Sequence, residues 1–320
     1  MNKKRKDIIR GNEVSDLYEW SLGGYKQKVL VEGKTKLLPI LITLHGGPGT
    51  PVPFSVGCRG LFPEFTERFI MVYWDQLGCG CNNFVITDSF TIDSFVQMTM
   101  DLVYEIKKLF PKNKIYLFAT SWGSILSAKL LEKESHIVDG VAVYGQIVRD
   151  IFFNDETITA LEKSKLSKRK LAVIKAAKKE SATNKELQLF SASIRKYTSG
   201  YQNKDGTQVP IAGIIKGLLT SPDYKIKDFK AIMINGYRKN CSLWKEILQL
   251  DLSRVLQSVQ VPYSIFQGDT DIVTSTKIVK ELVLSSNNDC LHCEIVEKSG
   301  HIPGKECMDR IFARLCEFEK

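Results

Sequence analysis

No run of this 320-residue chain approaches the length of a membrane-spanning helix, and no apolar segment follows the basic start Met1-Asn2-Lys3-Lys4-Arg5-Lys6. Histidine is scarce, with four in all, which leaves few candidates for a general base. Metal chemistry finds little footing. Cys290-Leu291-His292-Cys293 has half the spacing of a zinc site, but no second pair matches it and the segment reads as a strand. Gly33-Lys34-Thr35 is no phosphate loop, because Lys28 and Val29 stand where such a loop has its first glycine. Neither finger spacing nor an aromatic-basic ribonucleoprotein motif occurs, so a net charge of +9 does not argue for nucleic acid. The chain is expected to need no metal or other cofactor and to have no membrane span. Its eight cysteines, behind no secretory leader, are expected to be reduced thiols of a cytoplasmic protein.

What is present is concentrated in short motifs. Ile115 to Phe118 reads as a buried strand that runs through Ala119-Thr120-Ser121-Trp122-Gly123 into a helix. A serine between small residues at that junction has the pattern of a nucleophile elbow, where strand and helix pass too closely for larger side chains. Its hydroxyl would project from the sheet edge, with helix N-terminal amides behind it to stabilise negative charge. Upstream, the buried run Pro39 to Leu44 leads directly into His45-Gly46-Gly47-Pro48-Gly49. Such a loop can turn backbone N–H groups toward a ligand without side-chain crowding. Acyl-transfer enzymes that pair these features draw one oxyanion N–H from the loop and one from the residue after the nucleophile. Here those are Gly47 and Trp122.

The base must come from four histidines. His45 belongs to the glycine loop, His136 follows a charged helix end, and His292 sits within an apolar strand. His301, in Lys298-Ser299-Gly300-His301-Ile302-Pro303-Gly304, is the one on a loop after a late strand, and is expected to take the proton of Ser121. The acid should follow the preceding strand, Val261 to Gly268, where Asp269 and Asp271 both qualify.

Taken together, His45-Gly46-Gly47-Pro48-Gly49, Asp75-Gln76-Leu77-Gly78-Cys79-Gly80, Thr120-Ser121-Trp122-Gly123-Ser124, Gly268-Asp269-Thr270-Asp271 and Gly300-His301 resemble the α/β-hydrolases of the proline iminopeptidase group. The resemblance covers roughly residues 20 to 147 and 260 to 316. It implies Asp271 as the acid, leaving Asp269 to cap the turn, and an aminopeptidase acting on short peptides or aminoacyl amides through an acyl-enzyme. Relatives of that group hold the substrate ammonium with a Glu-Asn-aromatic patch or a Glu directly after the triad Asp. This chain has no Glu-Asn pair, and Ile272 follows Asp271. Gly46 and Glu246 are carried as candidate substrate contacts, with Asp223 and Asp228 as further carboxylates.

The remaining pattern fits a doubly wound, mostly parallel sheet with helices on both faces. Phe69 to Trp74 and Ile137 to Tyr144 read as strands, and Thr91 to Phe110 as an amphipathic helix. Tyr25 to Val31 reads as an antiparallel edge strand, and Lys305 to Phe318 as a final helix. The core is expected over 1–147 and 256–320. The span 148–255 breaks the alternation and is read as a helical cap, with a loop at Ser199 to Gly206. The charge sits in this cap, since residues 151–250 carry 19 Lys and Arg against 9 Asp and Glu. A solvated helix face is the plain reading of that excess. Two other functions remain open: a small-molecule carboxylesterase or lactonase, and a catalytically silent hydrolase fold that binds a ligand.

Overall fold

The structure is a computed structural model that describes residues 3–49, 55–202, 211–234 and 240–318. One sheet holds β1 (Val14–Leu22), β2 (Tyr25–Gly33), β3 (Ile40–Leu44), β4 (Ile70–Trp74), β5 (Ile115–Thr120), β6 (Gly140–Tyr144), β7 (Tyr263–Gly268) and β8 (Leu291–Val296). Their order across it is β1-β2-β4-β3-β5-β6-β7-β8. β1 and β2 form an antiparallel hairpin, β2 meets β4 antiparallel, and all later pairings are parallel.

The buried apolar runs become strands because both faces of the sheet are covered. Alternate residues of each strand enter different cores. Ile70, Val72 and Trp74 of β4 join one cluster, while Met71 and Tyr73 join the other. β5 divides likewise, with Ile115, Leu117 and Ala119 on one side and Tyr116 and Phe118 on the other.

Tyr25–Val31 is antiparallel as its alternation predicts, but it is not the edge strand. The turn Gly23-Gly24, at φ of 59° and 83°, returns the chain from β1, which takes the edge. β1 is hard to see in the sequence because it buries fully only its ends, Val14 and Leu22.

Helices α1 (Lys3–Gly11), α2 (Pro63–Thr66), α3 (Ile92–Leu109) and α4 (Trp122–Lys133) precede β6. α3 starts where Thr91 and Ser94 cap it reciprocally, each side chain bonded to the other's backbone N–H at 3.2 Å. Among the described residues, seven α-helices then lie between β6 and β7. They are α5 (Asp155–Glu162), α6 (Lys168–Ala176), α7 (Asn184–Tyr197), α8 (Ile211–Leu219), α9 (Ile226–Ile234), α10 (Cys241–Gln249) and α11 (Ser253–Gln257). Residues 203–206 of the anticipated 199–206 loop lie outside the described residues. α12 (Thr276–Leu284) separates β7 from β8, and α13 (Lys305–Glu317) follows β8 and covers the face opposite α3 and α4.

Candidate active site

The carboxyl ends of β3, β5, β7 and β8 bring the sequence motifs together. Ser121 sits between β5 and α4 at φ 48° and ψ −115°, a strained conformation for a residue with a side chain. The junction tolerates no bulk. A Cβ on Gly123 would lie 2.1 Å from the Leu44 carbonyl oxygen, which explains the small residue two places after the serine.

His301 Nε2 lies 2.9 Å from Ser121 Oγ, and His301 Nδ1 lies 2.8 Å from Asp271 Oδ2. With the ring proton on Nδ1 donating to Asp271, Nε2 accepts from the serine hydroxyl, the arrangement a general base requires. Asp271 is fully buried and held by four further donors. Val273 N and Thr274 N reach its Oδ1 at 2.8 and 3.1 Å. Thr274 Oγ1 and Gln267 Nε2 reach its Oδ2 at 2.8 and 3.2 Å. Asp269 does not face the histidine, and its Oδ1 instead accepts from Ser299 N at 2.9 Å. Gly145, at φ 67°, leaves space for the imidazole, since a Cβ there would meet His301 Cε1 and Nδ1 at 3.3 Å.

The glycine loop lies directly over the elbow. A Cβ on Gly46 would meet Thr120 O at 3.3 Å and Ser121 Cβ at 3.4 Å. Gly47, at φ 127°, is exposed, while the indole of Trp122 is buried against Phe95. Two residues that sequence reasoning left without roles tie the loop down. His45 Nδ1 donates to Gly46 O at 2.9 Å, and its Nε2 accepts from Gln76 N at 3.0 Å. Burial pushes the His45 pKa down to about 4, so the ring is a neutral strut. The Gln76 amide spans the gap, donating to His45 O at 3.2 Å and accepting from Trp122 Nε1 at 2.8 Å. The adjacency of Asp75-Gln76 to the end of β4 was the only sequence signal for this bridge.

The candidate substrate carboxylates are committed elsewhere. Glu246 Oε2 accepts from Ile92 N at 2.8 Å and so serves the start of α3. Asp228 accepts from Lys225 N at 2.9 Å, and Asp223 pairs with Arg59 at 3.0 Å. Asp75 is fully buried, accepts from Cys81 N at 3.0 Å and from the Tyr224 hydroxyl, and is pushed up to about 6 by its burial. Among the described residues, no group of three or more His, Cys, Asp and Glu side chains is arranged to hold a metal ion. No described helix is long and apolar enough to cross a membrane.

Comparison with known proteins identifies relatives of this chain. The chain is 25% identical over 292 residues to the probable aminopeptidase YbaC of Bacillus subtilis, covering 86% of each. It is 30% identical over 106 residues to a proline iminopeptidase of Thermoplasma volcanium, covering 33% of this chain and 34% of the relative. A proline iminopeptidase-related protein from Thermus thermophilus, TTHA1809, shares the fold with a TM-score of 0.59 at 17% identity, over 95% of this chain and 98% of that one. The α/β-hydrolase fold family model matches residues 39–306. Since that match spans most of the sheet and includes Ser121, Asp271 and His301, the chain belongs to the α/β-hydrolase fold family.

Proposed function

We propose that the protein is a serine hydrolase that works through an acyl-enzyme. The observation that carries this reading is the continuous hydrogen-bond chain Ser121–His301–Asp271 with the serine at a strained elbow. Ser121 Oγ attacks the substrate carbonyl while His301 Nε2 takes its proton. Asp271 holds the ring tautomer and stabilises the imidazolium that forms. The backbone N–H groups of Gly47 and Trp122 receive the oxyanion. His301 then passes the proton to the leaving group, and water attacks the acyl-enzyme with His301 as base again. Residues 148–255 form a cap over this site in the same reading, excluding water and shaping the pocket. Cys79, Cys81, Cys241, Cys290, Cys293, Cys307 and Cys316 are free thiols, which fits a reducing compartment, and the cytoplasm is the proposed location.

The leading substrate is a short peptide or aminoacyl amide with a free N-terminus, supported by the similarity to the two aminopeptidases. A second reading, a carboxylesterase or lactonase, is favoured by the occupation of Glu246, Asp223 and Asp228 in structural bonds. A substituted ammonium in a partly desolvated pocket needs a carboxylate free to receive it. The test is a panel of prolyl, alanyl and leucyl anilides against acetyl and butyryl nitrophenyl esters, with Ser121→Ala as the blank. Anilide turnover that requires a free amine establishes the aminopeptidase. Ester turnover alone establishes the second reading.

A further inference from the structure

The loop carrying His301 is bonded to a segment from the span between β6 and β7. His301 N donates to Gly200 O at 2.8 Å, and Ile302 N donates to Tyr201 O at 2.8 Å. Thr270 Oγ1, beside Asp271, donates to Ser199 O at 3.1 Å and to Ser299 O at 2.9 Å. Residues 199–202 therefore lie against the His301 loop through two consecutive backbone hydrogen bonds, and the acid loop joins the same seam. The fit leaves no slack. A Cβ on Gly300 would lie 2.7 Å from Tyr201 C and 2.8 Å from Gln202 N, and one on Gly200 would lie 2.5 Å from Ile272 Cγ1.

Side chains extend the contact. The Tyr201 ring stands edge-on to the His301 imidazole, with centroids 5.7 Å apart and planes at 90°. The ring is itself held twice. Its hydroxyl shares a 2.8 Å hydrogen bond with Ser191 Oγ, and the Arg195 guanidinium lies 4.9 Å from its centroid. Ser191 and Arg195 both belong to α7, one turn apart, so that helix sets where the ring stands.

We propose that residues 199–202 position the base, with Tyr201 as the positioning residue that fixes the His301 ring against Ser121 and Asp271. The inference rests on reading Ser121–His301–Asp271 as the catalytic triad. It adds that the base is competent only while this segment is seated. Chemistry is then coupled to the order of the helices over the site, rather than to the sheet alone. A tyrosine ring packed on one side of the imidazole limits its rotation, and small misplacement of a base has large kinetic effects.

The test reads the rate at which a fluorophosphonate labels Ser121 in the full chain as a function of pH. In this reaction the Ser121 O–P bond forms as P–F breaks, the serine proton passes to His301 and fluoride leaves. Tyr201→Leu is expected to lower the rate by about tenfold or more and to move its pH midpoint, because the ring loses its fixed place. Tyr201→Phe keeps the ring, gives up the hydroxyl's bonds to Ser191 and Arg195, and is expected to restore most of the rate. Gly300→Ala pushes the segment off the His301 loop and is expected to act like Tyr201→Leu, so it carries the test should that variant fail to fold. Wild-type rate and midpoint in a folded Tyr201→Leu or Gly300→Ala overturn the proposal while leaving the hydrolase reading standing. A wild-type protein that does not label at all overturns the hydrolase reading, and this inference with it.

Discussion

The two partners of the Ser121–His301 hydrogen bond are held by different parts of the molecule. On the nucleophile side everything comes from the sheet and the helix behind it. Gly123 lets α4 touch Leu44, and His45, Gln76 and Trp122 link loop to elbow through buried hydrogen bonds. On the base side Asp271 is just as firmly held, but His301 leans on Gly200 and Tyr201 from the span between β6 and β7. The contrast assigns separate tasks. Under the proposed mechanism, the core sets the nucleophile Ser121 and the glycine loop, whereas the proposed base His301 rests on a segment from the span between β6 and β7.

The largest effect expected is on chemistry. Ser121→Ala should remove nearly all turnover, roughly 10⁴-fold or more, with the fold intact by circular dichroism. Undiminished turnover in that folded variant would dissolve the comparison, since neither side would then hold a reacting group. Next, Gly123→Ala should destabilise the core side by about 3 kcal/mol or more in urea unfolding, because the added Cβ meets backbone that cannot give way. Variants of the Tyr201 segment should instead lower the labelling rate with small changes in stability. A Gly123→Ala protein of wild-type stability would show that the elbow is not close-packed.

Two buried titrating groups give a finer test. His45 belongs to the nucleophile side, and its pKa is lowered from 6.5 to about 4 by burial. The unfolded chain therefore binds more protons in that window, and this group's contribution is lost as pH falls from about 6.5 toward 4. The loss reaches about 3 kcal/mol. Asp75, bonded to Tyr224 between α8 and α9, is raised from 3.8 to about 6 by burial. Its sign is opposite. The folded state holds the proton more tightly, so the stability it contributes below about 4 is lost as pH rises through 6, again by about 3 kcal/mol. The two slopes oppose each other between pH 4 and 6, so this pair together adds little net pH dependence to stability there. Asp75→Asn should expose the His45 slope, with stability falling steeply on acidification. A profile in Asp75→Asn no steeper than in the wild-type protein between pH 4 and 6 would contradict the raised Asp75 pKa.

The smallest effect is expected at Glu246. Glu246→Gln should lower stability by up to about 1 kcal/mol, through the start of α3, and leave KM unchanged for amine and neutral substrates alike. A rise in KM confined to free-amine substrates would make this carboxylate the ammonium anchor after all.

The parts legible in the sequence are those whose constraints are local. A buried strand, a small-Ser-small junction and a glycine-proline loop each dictate their own backbone, so Ile40–Leu44, Ile115–Thr120 and Ser121 could be found from neighbouring residues alone. His301 was reachable because few histidines compete with it. The carboxylate beside it is Asp271 rather than Asp269, a choice that spacing left open and the resemblance made. The illegible parts depend on contacts between distant residues. Nothing in Ser199-Gly200-Tyr201 announces that it will bond a loop about a hundred residues later. Nothing in Leu243-Trp244-Lys245-Glu246 announces that the carboxylate will serve a helix start at Ile92. β1 was missed for a related reason, since an edge strand with one wet face buries too little to stand out.

The most direct test of the central claim is mass spectrometry of the protein quenched during turnover of an activated acetyl ester, followed by peptide mapping. A single acetyl group on the peptide containing Ser121, absent from Ser121→Ala, is the predicted result. An acetyl group that maps to another side chain, with turnover persisting in Ser121→Ala, would contradict it.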